Sequence, residues 1–220
     1  VSYLPCVELE TREPADASVI WLHGLGADGH DFEPIVPELR LPADAAVRFV
    51  FPHAPVMPVT INGGMPMRAW YDILELSVER HVDEAQLRAS ARAVSALIDR
   101  EIERGVESTR IVMAGFSQGG AVAYEAALRY PRPLAGLLAL SSYFATSSSF
   151  TPHEVNARLP VLVCHGTQDP VVPESLGRSS YQVLLAMKHP VEYRTYPIGH
   201  EVCLEEILDV ARWLSGRLDL

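Results

Sequence analysis

The stretch "MAGFSQGGAV", residues 113 to 122, decides how the rest of the chain is read. An apolar run ends at Gly115, a serine follows at 117, Gly119 and Gly120 come next, and small residues at helical spacing take over. Gly-x-Ser-x-Gly between a strand and a helix makes a sharp turn that lifts the serine oxygen clear of the backbone, and its glycines let the two elements pass closely. Five residues are too short a pattern to establish such a turn, so the flanks decide. "RIVMAG" (110–115) is short and apolar, as a buried strand is, and "QGGAVAYEAALRY" sets Ala121, Tyr124 and Leu128 at helical spacing. Ser117 is therefore expected to be a nucleophile on a strand-to-helix elbow.

Outward from the elbow, short β-rich runs alternate with helical segments. The runs are 17–24, 47–53, 134–141, 160–166 and 191–197, with "CVELE" (6–10) as an edge strand. This alternation predicts an α/β fold with a mostly parallel central sheet and helices on both faces, in one domain spanning 1–220. Leu87, Ala91, Val94, Ile98 and Ile102 predict a helix from about Asp83 to Arg104, with Asp83 and Gln86 suited to its cap and Gly105 to its stop. Two more helices are expected, over 174–188 and 201–217. Residues 54–78 fit no regular element: three prolines and a Gly-Gly pair lie among apolar side chains, over a length unusual for a plain connection. Met57, Ile61, Met65, Met67 and Trp70 in this segment are candidates for an acyl pocket, or else loop residues packed on the core.

Composition narrows the function classes. Eighteen Lys+Arg against 28 Asp+Glu give a net charge of −10, which repels a phosphate backbone, so nucleic acid is not an expected partner. No signal-like leader and no apolar run of membrane-span length is evident, which leads to the expectation of a soluble, cytoplasmic chain. Cys6, Cys164 and Cys203 lack zinc or disulfide spacing and are expected to be reduced core thiols. No metal site or other cofactor is expected.

A serine nucleophile needs a general base and an acid that orients it. Eight histidines compete. In the chain order Ser, Asp, His that suits a strand-to-helix elbow, only His189 and His200 lie late enough. His200 sits in a turn between the last strand and the last helix, whereas His189, beside a helix end and Pro190, is expected on the surface. Asp169, in "HGTQDPVVP" just past the strand 160–166, is the expected acid. His23 and His165 are better suited to structural roles. Acyl transfer also needs donors for the developing oxyanion, expected from the backbone N–H of Gln118 and, in "HGLGADGHDF" (23–32), of Leu25.

With these residues in place, the chain resembles the small carboxylesterase and acyl-protein thioesterase family of α/β-hydrolases. The resemblance rests on "WLHGLGADGHDF" (21–32), "FPHAP" (51–55), "MRAWYDI" (67–73), "GFSQGGA" (115–121), "HGTQDPVVP" (165–173) and "YPIGHEV" (196–202), in that order along nearly the whole chain. It implies a triad of Ser117, Asp169 and His200, an oxyanion hole from Leu25 and Gln118, and a substrate cleft that includes "MRAWYDI". It also implies a compact hydrolase without a large cap domain and, in some members, a homodimer. The expected activity is hydrolysis of small-molecule carboxylic esters of short to medium acyl length. An acyl-protein thioesterase or lysophospholipase is the alternative, since both chemistries pass through the same acyl-enzyme. A catalytically silent binding module would have lost a triad member, and a dienelactone hydrolase would carry cysteine at the elbow, where this chain has Ser117.

Overall fold

The computed structural model describes residues 3–75 and 82–220. Nine strands are found among them: β1 (Cys6–Glu10), β2 (Ala17–Leu22), β3 (Val47–Pro52), β4 (Val56–Val59), β5 (Met65–Arg68), β6 (Ile111–Phe116), β7 (Gly136–Leu140), β8 (Val161–Gly166) and β9 (Val191–Tyr196). The helices are α1 (Glu84–Glu103), α2 (Gln118–Arg129), α3 (Glu174–Ala186) and α4 (Leu204–Leu218). Seven strands form one sheet in the order β1-β3-β2-β6-β7-β8-β9. Only β1 runs antiparallel, at the edge against β3, and the other pairings are parallel.

Because successive side chains leave a strand on opposite faces, a sheet covered twice needs apolar residues at every position. β2 shows this directly. Ile20 and Leu22 join one core with Leu87, Val94 and Ile98 of α1 and Leu128 of α2, while Val19 and Trp21 join the other with Val210 and Leu214 of α4. Leu87, Ala91, Val94 and Ile98 of the α1 stripe are buried as its period predicts and Ile102 is half-buried, and full burial of each Leu, Val or Ile contributes about 1.5–3 kcal/mol. The Asp83 carboxylate accepts from Gln86 N and caps that helix. All the parallel strands end on one edge of the sheet, so the loops after β2, β6, β8 and β9 converge there, where ligands of open α/β sheets bind.

Two expectations are corrected. The segment 54–78 is not irregular throughout: β4 and β5 pair as an antiparallel hairpin, Val56 opposite Arg68 and Val59 opposite Met65, and residues 76–78 lie outside the described residues. Its turn carries Gly63 and Gly64 with positive φ, which accounts for the Gly-Gly pair. Of the three free cysteines only Cys164 is a core thiol, since Cys6 and Cys203 are half-buried at an edge strand and a helix start.

The elbow depends on backbones in near contact. A Cβ on Gly119 would stand 2.5 Å from the His23 carbonyl oxygen and 2.6 Å from that of Leu22, whereas one on Gly216 of α4 would meet nothing within 4 Å. Gly119→Ala should therefore lower stability in urea unfolding by about 1–3 kcal/mol. Gly216→Ala should leave it unchanged or raise it by up to about 1 kcal/mol through helix propensity. Equal effects of the two substitutions would contradict this account of the elbow.

Candidate active site

Ser117 sits at the junction of β6 and α2 with φ 54° and ψ −121°, a left-handed backbone that an L residue seldom adopts. The turn is held from several directions. Ser117 N donates to Leu140 O at 2.9 Å, Gly120 N donates to Ser117 O at 3.0 Å, and Ser142 Oγ donates to the same carbonyl at 2.7 Å.

The loop after β9 brings His200 Nε2 to 2.9 Å from Ser117 Oγ, and the loop after β8 brings Asp169 Oδ2 to 2.6 Å from His200 Nδ1. Oδ1 of Asp169 accepts from Val171 N and Val172 N, both at 2.8 Å. Burial works to raise the Asp169 pKa, but the His200 bond and the Val172 and Val171 N–H groups outweigh it and hold the carboxyl below its ordinary value. The acid is therefore ionised and fixed in place. With the carboxylate on Nδ1, the ring presents Nε2 to the serine, the arrangement needed for a base that takes the Ser117 proton.

The other late histidine differs from its expectation. His189 is buried rather than exposed, because its Nδ1 donates to Leu159 O at 3.1 Å across the start of β8. His165 is buried too, its Nε2 donating to Val172 O at 2.9 Å. Burial lowers the pKa of His23, His165 and His189, which keeps these rings neutral near pH 7.

A cavity of about 550 Å³ opens on Ser117. Leu25 and Gln118, the expected oxyanion donors, both line it beside the serine, and Tyr71, Ile73, Tyr143 and the 170–173 segment form much of the remaining wall. Of the five candidate pocket residues, only Ile61 lies in that wall. In the hairpin Met57 stands opposite Met67, both half-buried, while Met65 is 61% exposed. The Met67 sulfur accepts from Asn62 Nδ2 at 3.2 Å.

Trp70 is buried away from the cavity wall in a polar brace that the sequence did not disclose. Its indole N–H donates to His23 O at 2.9 Å, its backbone N–H donates to Gln118 Oε1 at 2.8 Å, and Gln118 Nε2 donates to Tyr71 O at 2.7 Å. His23 completes the brace: Ala54 N donates to its Nε2 at 3.1 Å, which leaves Nδ1 to carry the proton toward Gly24 O at 2.7 Å. The brace ties the loop that carries Leu25 to the residue after the elbow. Tyr71 and Ile73, which do reach the cavity, lie in the "MRAWYDI" run that the resemblance places in the cleft, although neither was singled out as a pocket candidate beside Trp70.

A strained serine, an imidazole and a carboxylate in hydrogen-bonded series, at the strand-end edge of a mostly parallel sheet, define an α/β-hydrolase with the means for acyl transfer. Comparison with known proteins agrees. The model of the phospholipase/carboxylesterase family matches residues 6–217. Acyl-protein thioesterase 1 of Neurospora crassa is 39% identical over 213 residues, covering 92% of this chain and 87% of that protein. Carboxylesterase SOBER1 of Arabidopsis thaliana is 34% identical over 206 residues, covering 91% of this chain and 90% of that protein. A crystal structure of the latter superposes with a TM-score of 0.86 at 34% identity, over 92% of this chain and 99% of that one. The chain belongs to the phospholipase/carboxylesterase family, and it is a serine hydrolase acting on ester bonds. No described helix is long and apolar enough to cross a membrane.

Two outcomes follow from this geometry. Trp70→Phe removes the donor to His23 O together with part of a buried ring, and if the brace holds the proposed oxyanion loop kcat should fall about tenfold with KM little changed. An unchanged kcat would reduce the brace to packing. The second concerns Glu206, buried in the first turn of α4 beyond the His200 turn. Burial, reinforced by the charge of Asp209 and opposed by the Cys203 backbone, raises its pKa to about 8. The folded pKa lies above the unfolded value of about 4.3. Its stability contribution is therefore fully present below about pH 4.3 and lost as pH rises through about 8. Glu206→Gln should gain on the wild type in urea unfolding as pH rises from 5 to 8, and the gain should level off above that. A pH-independent difference between the two proteins would contradict a neutral Glu206.

Proposed function

We propose that the chain is a carboxylesterase that hydrolyses esters of short- to medium-chain carboxylic acids through an acyl-enzyme on Ser117. Ser117 Oγ attacks the ester carbonyl as His200 Nε2 takes its proton, Asp169 stabilises the imidazolium, and the N–H groups of Leu25 and Gln118 receive the oxyanion. The leaving alcohol takes the proton from His200, and a water activated by the same imidazole releases the acid. The observation that carries this reading is the unbroken series Ser117 Oγ, His200 Nε2 at 2.9 Å and Asp169 Oδ2 at 2.6 Å from His200 Nδ1, bordering an apolar-walled cavity of about 550 Å³. A cavity of this size suits a small acyl group, and Tyr71, Ile73 and Ile61 are the side chains proposed to meet it. Thioester hydrolysis is the second reading, favoured by the names of the thioesterase relatives, and uses the same acyl-enzyme.

One experiment tests both. Kinetics on matched ester and thioester series from two to sixteen acyl carbons, with phosphonate labelling of the nucleophile, should show an optimum among short to medium esters and a label on Ser117. Ser117→Ala should abolish the label and lower kcat/KM by several orders of magnitude. Ile61→Ala should move the optimum to longer chains, by about fivefold in kcat/KM per methylene accommodated, whereas exposed Met65→Ala should not. Labelling at another residue would sink the assignment. An optimum confined to long-chain thioesters would replace it with the second reading.

A further inference from the structure

Two hollows border the Ser117–His200 pair, and they share no lining residue. The first is lined by Ser117 with Leu25 and Gln118. The second, of about 460 Å³, is lined by His200 and lies over α4 and the segment after β2. Its apolar lining comes from Phe32, Pro34, Ile35, Phe116, Val202 and Ile207. The Phe116 ring stands 4.8 Å from the His200 ring and 5.5 Å from that of Phe32, centroid to centroid. Three carboxylates also line it, Asp31, Glu38 and Glu201, and no Lys or Arg does. None of the three is in an ion pair with a described residue.

The reaction assigns a use to this second hollow. When the Ser117 Oγ–carbon bond forms, the bond from that carbon to the leaving oxygen or sulfur breaks, and its electron pair stays on the leaving atom. That atom takes the proton which His200 received from Ser117, so it must lie within hydrogen-bond reach of His200 Nε2. With the oxyanion held at Leu25 and Gln118 and the acyl chain in the first hollow, the leaving group extends past His200.

We propose that the hollow beside His200 is the leaving-group subsite, and that it selects alcohols or thiols carrying a positive charge close to the reacting atom. This rests on the esterase reading above. Asp31, Glu38 and Glu201 supply unpaired negative charge at the rim, and Phe116, half-buried beside His200, gives an organic cation an aromatic ring to pack against. An anionic leaving group meets three like charges with no compensating base. Because the rim carboxylates are exposed, the selection is several-fold and falls with ionic strength.

Butyrylcholine and 3,3-dimethylbutyl butyrate, which differ in a quaternary nitrogen against a carbon, test this directly. Both give the same butyryl-enzyme, so any difference in kcat/KM arises before the leaving group departs. At low ionic strength the wild type should favour the choline ester by about three- to tenfold, with the ratio shrinking in salt. Asp31→Asn/Glu38→Gln/Glu201→Gln should bring the ratio near one. Glu13→Gln/Glu107→Gln/Glu154→Gln removes equal charge from exposed sites elsewhere and should keep the preference, which separates the rim from the attraction of a chain of net charge −10. The proposal is overturned by a wild type without preference, by a rim variant that retains it, or by a distant variant that loses as much. Turnover of the neutral ester without charge preference removes this inference alone. Failure to turn over either ester, with Ser117 unlabelled by phosphonate, removes the esterase reading and the subsite together.

Discussion

The left-handed backbone at Ser117 is the constraint on which the rest of the site depends. An L residue in that conformation costs about 1–3 kcal/mol, and it persists only where its surroundings leave no alternative. Here β7 supplies the carbonyl of Leu140 and the hydroxyl of Ser142 follows just beyond it, while α2 begins so close to β2 that Gly119 touches the carbonyls of Leu22 and His23. The strain is thus balanced by strand pairing and by glycine contacts that admit no side chain. The loop that carries Leu25, the proposed oxyanion donor, starts at those same carbonyls, so the proposed nucleophile and oxyanion site are fixed by one packing arrangement. His200 and Asp169 then need only arrive from the ends of β9 and β8, which pair with one another.

How much of this was legible in the sequence follows from the range of the forces involved. Strands β6 to β8 announce themselves by apolar runs, β9 by β-branched and aromatic residues at the sheet edge, and α1 by its period, because burial on two faces or on one stripe leaves a local pattern. That Ser117, Asp169 and His200 would meet was legible because each follows a strand end, and the sheet's parallel order brings those ends to one edge. The hairpin of β4 and β5 was not legible, since prolines and methionines obscure its alternation and its pairing is a matter of register. Trp70 was left open between the pocket and the core because apolar bulk in a loop says nothing about direction. Its partners, His23 and Gln118, lie 47 and 48 residues away. His189 failed for a similar reason, its adjacency to Pro190 suggesting surface while a carbonyl 30 residues away holds it inside.

The division among the histidines has a single physical cause. His23, His165 and His189 are enclosed, and burial disfavours their charged form, so they serve as fixed donors and acceptors for backbone groups. His200 remains partly open beside the phenyl ring of Phe116 and has an ionised carboxylate behind it. Sequence neighbours of these residues look alike, as "LHG" and "CHG" show. What separates a structural imidazole from the proposed proton carrier is enclosure and the partner on its far nitrogen.

The hairpin is joined to the oxyanion loop by more than proximity. Gly26 N donates to Arg68 O at 2.8 Å, and the Arg68 guanidinium in turn reaches Ala54 O, whose own N–H is held by His23. The segment that screens the cavity and the loop that presents Leu25 therefore form one hydrogen-bonded piece. Breadth of substrate and speed of turnover are not independent traits in such a molecule. A change that reshapes the hairpin backbone for a bulkier acid also moves the cradle of the oxyanion, and drift in one is tied to drift in the other. Variation of range without loss of rate is confined to side chains that face the cavity, such as Ile61 in the connection of the hairpin and Ile73 beyond it, whose exchange leaves the joined backbone in place, and these are where a lineage or a designer has freedom.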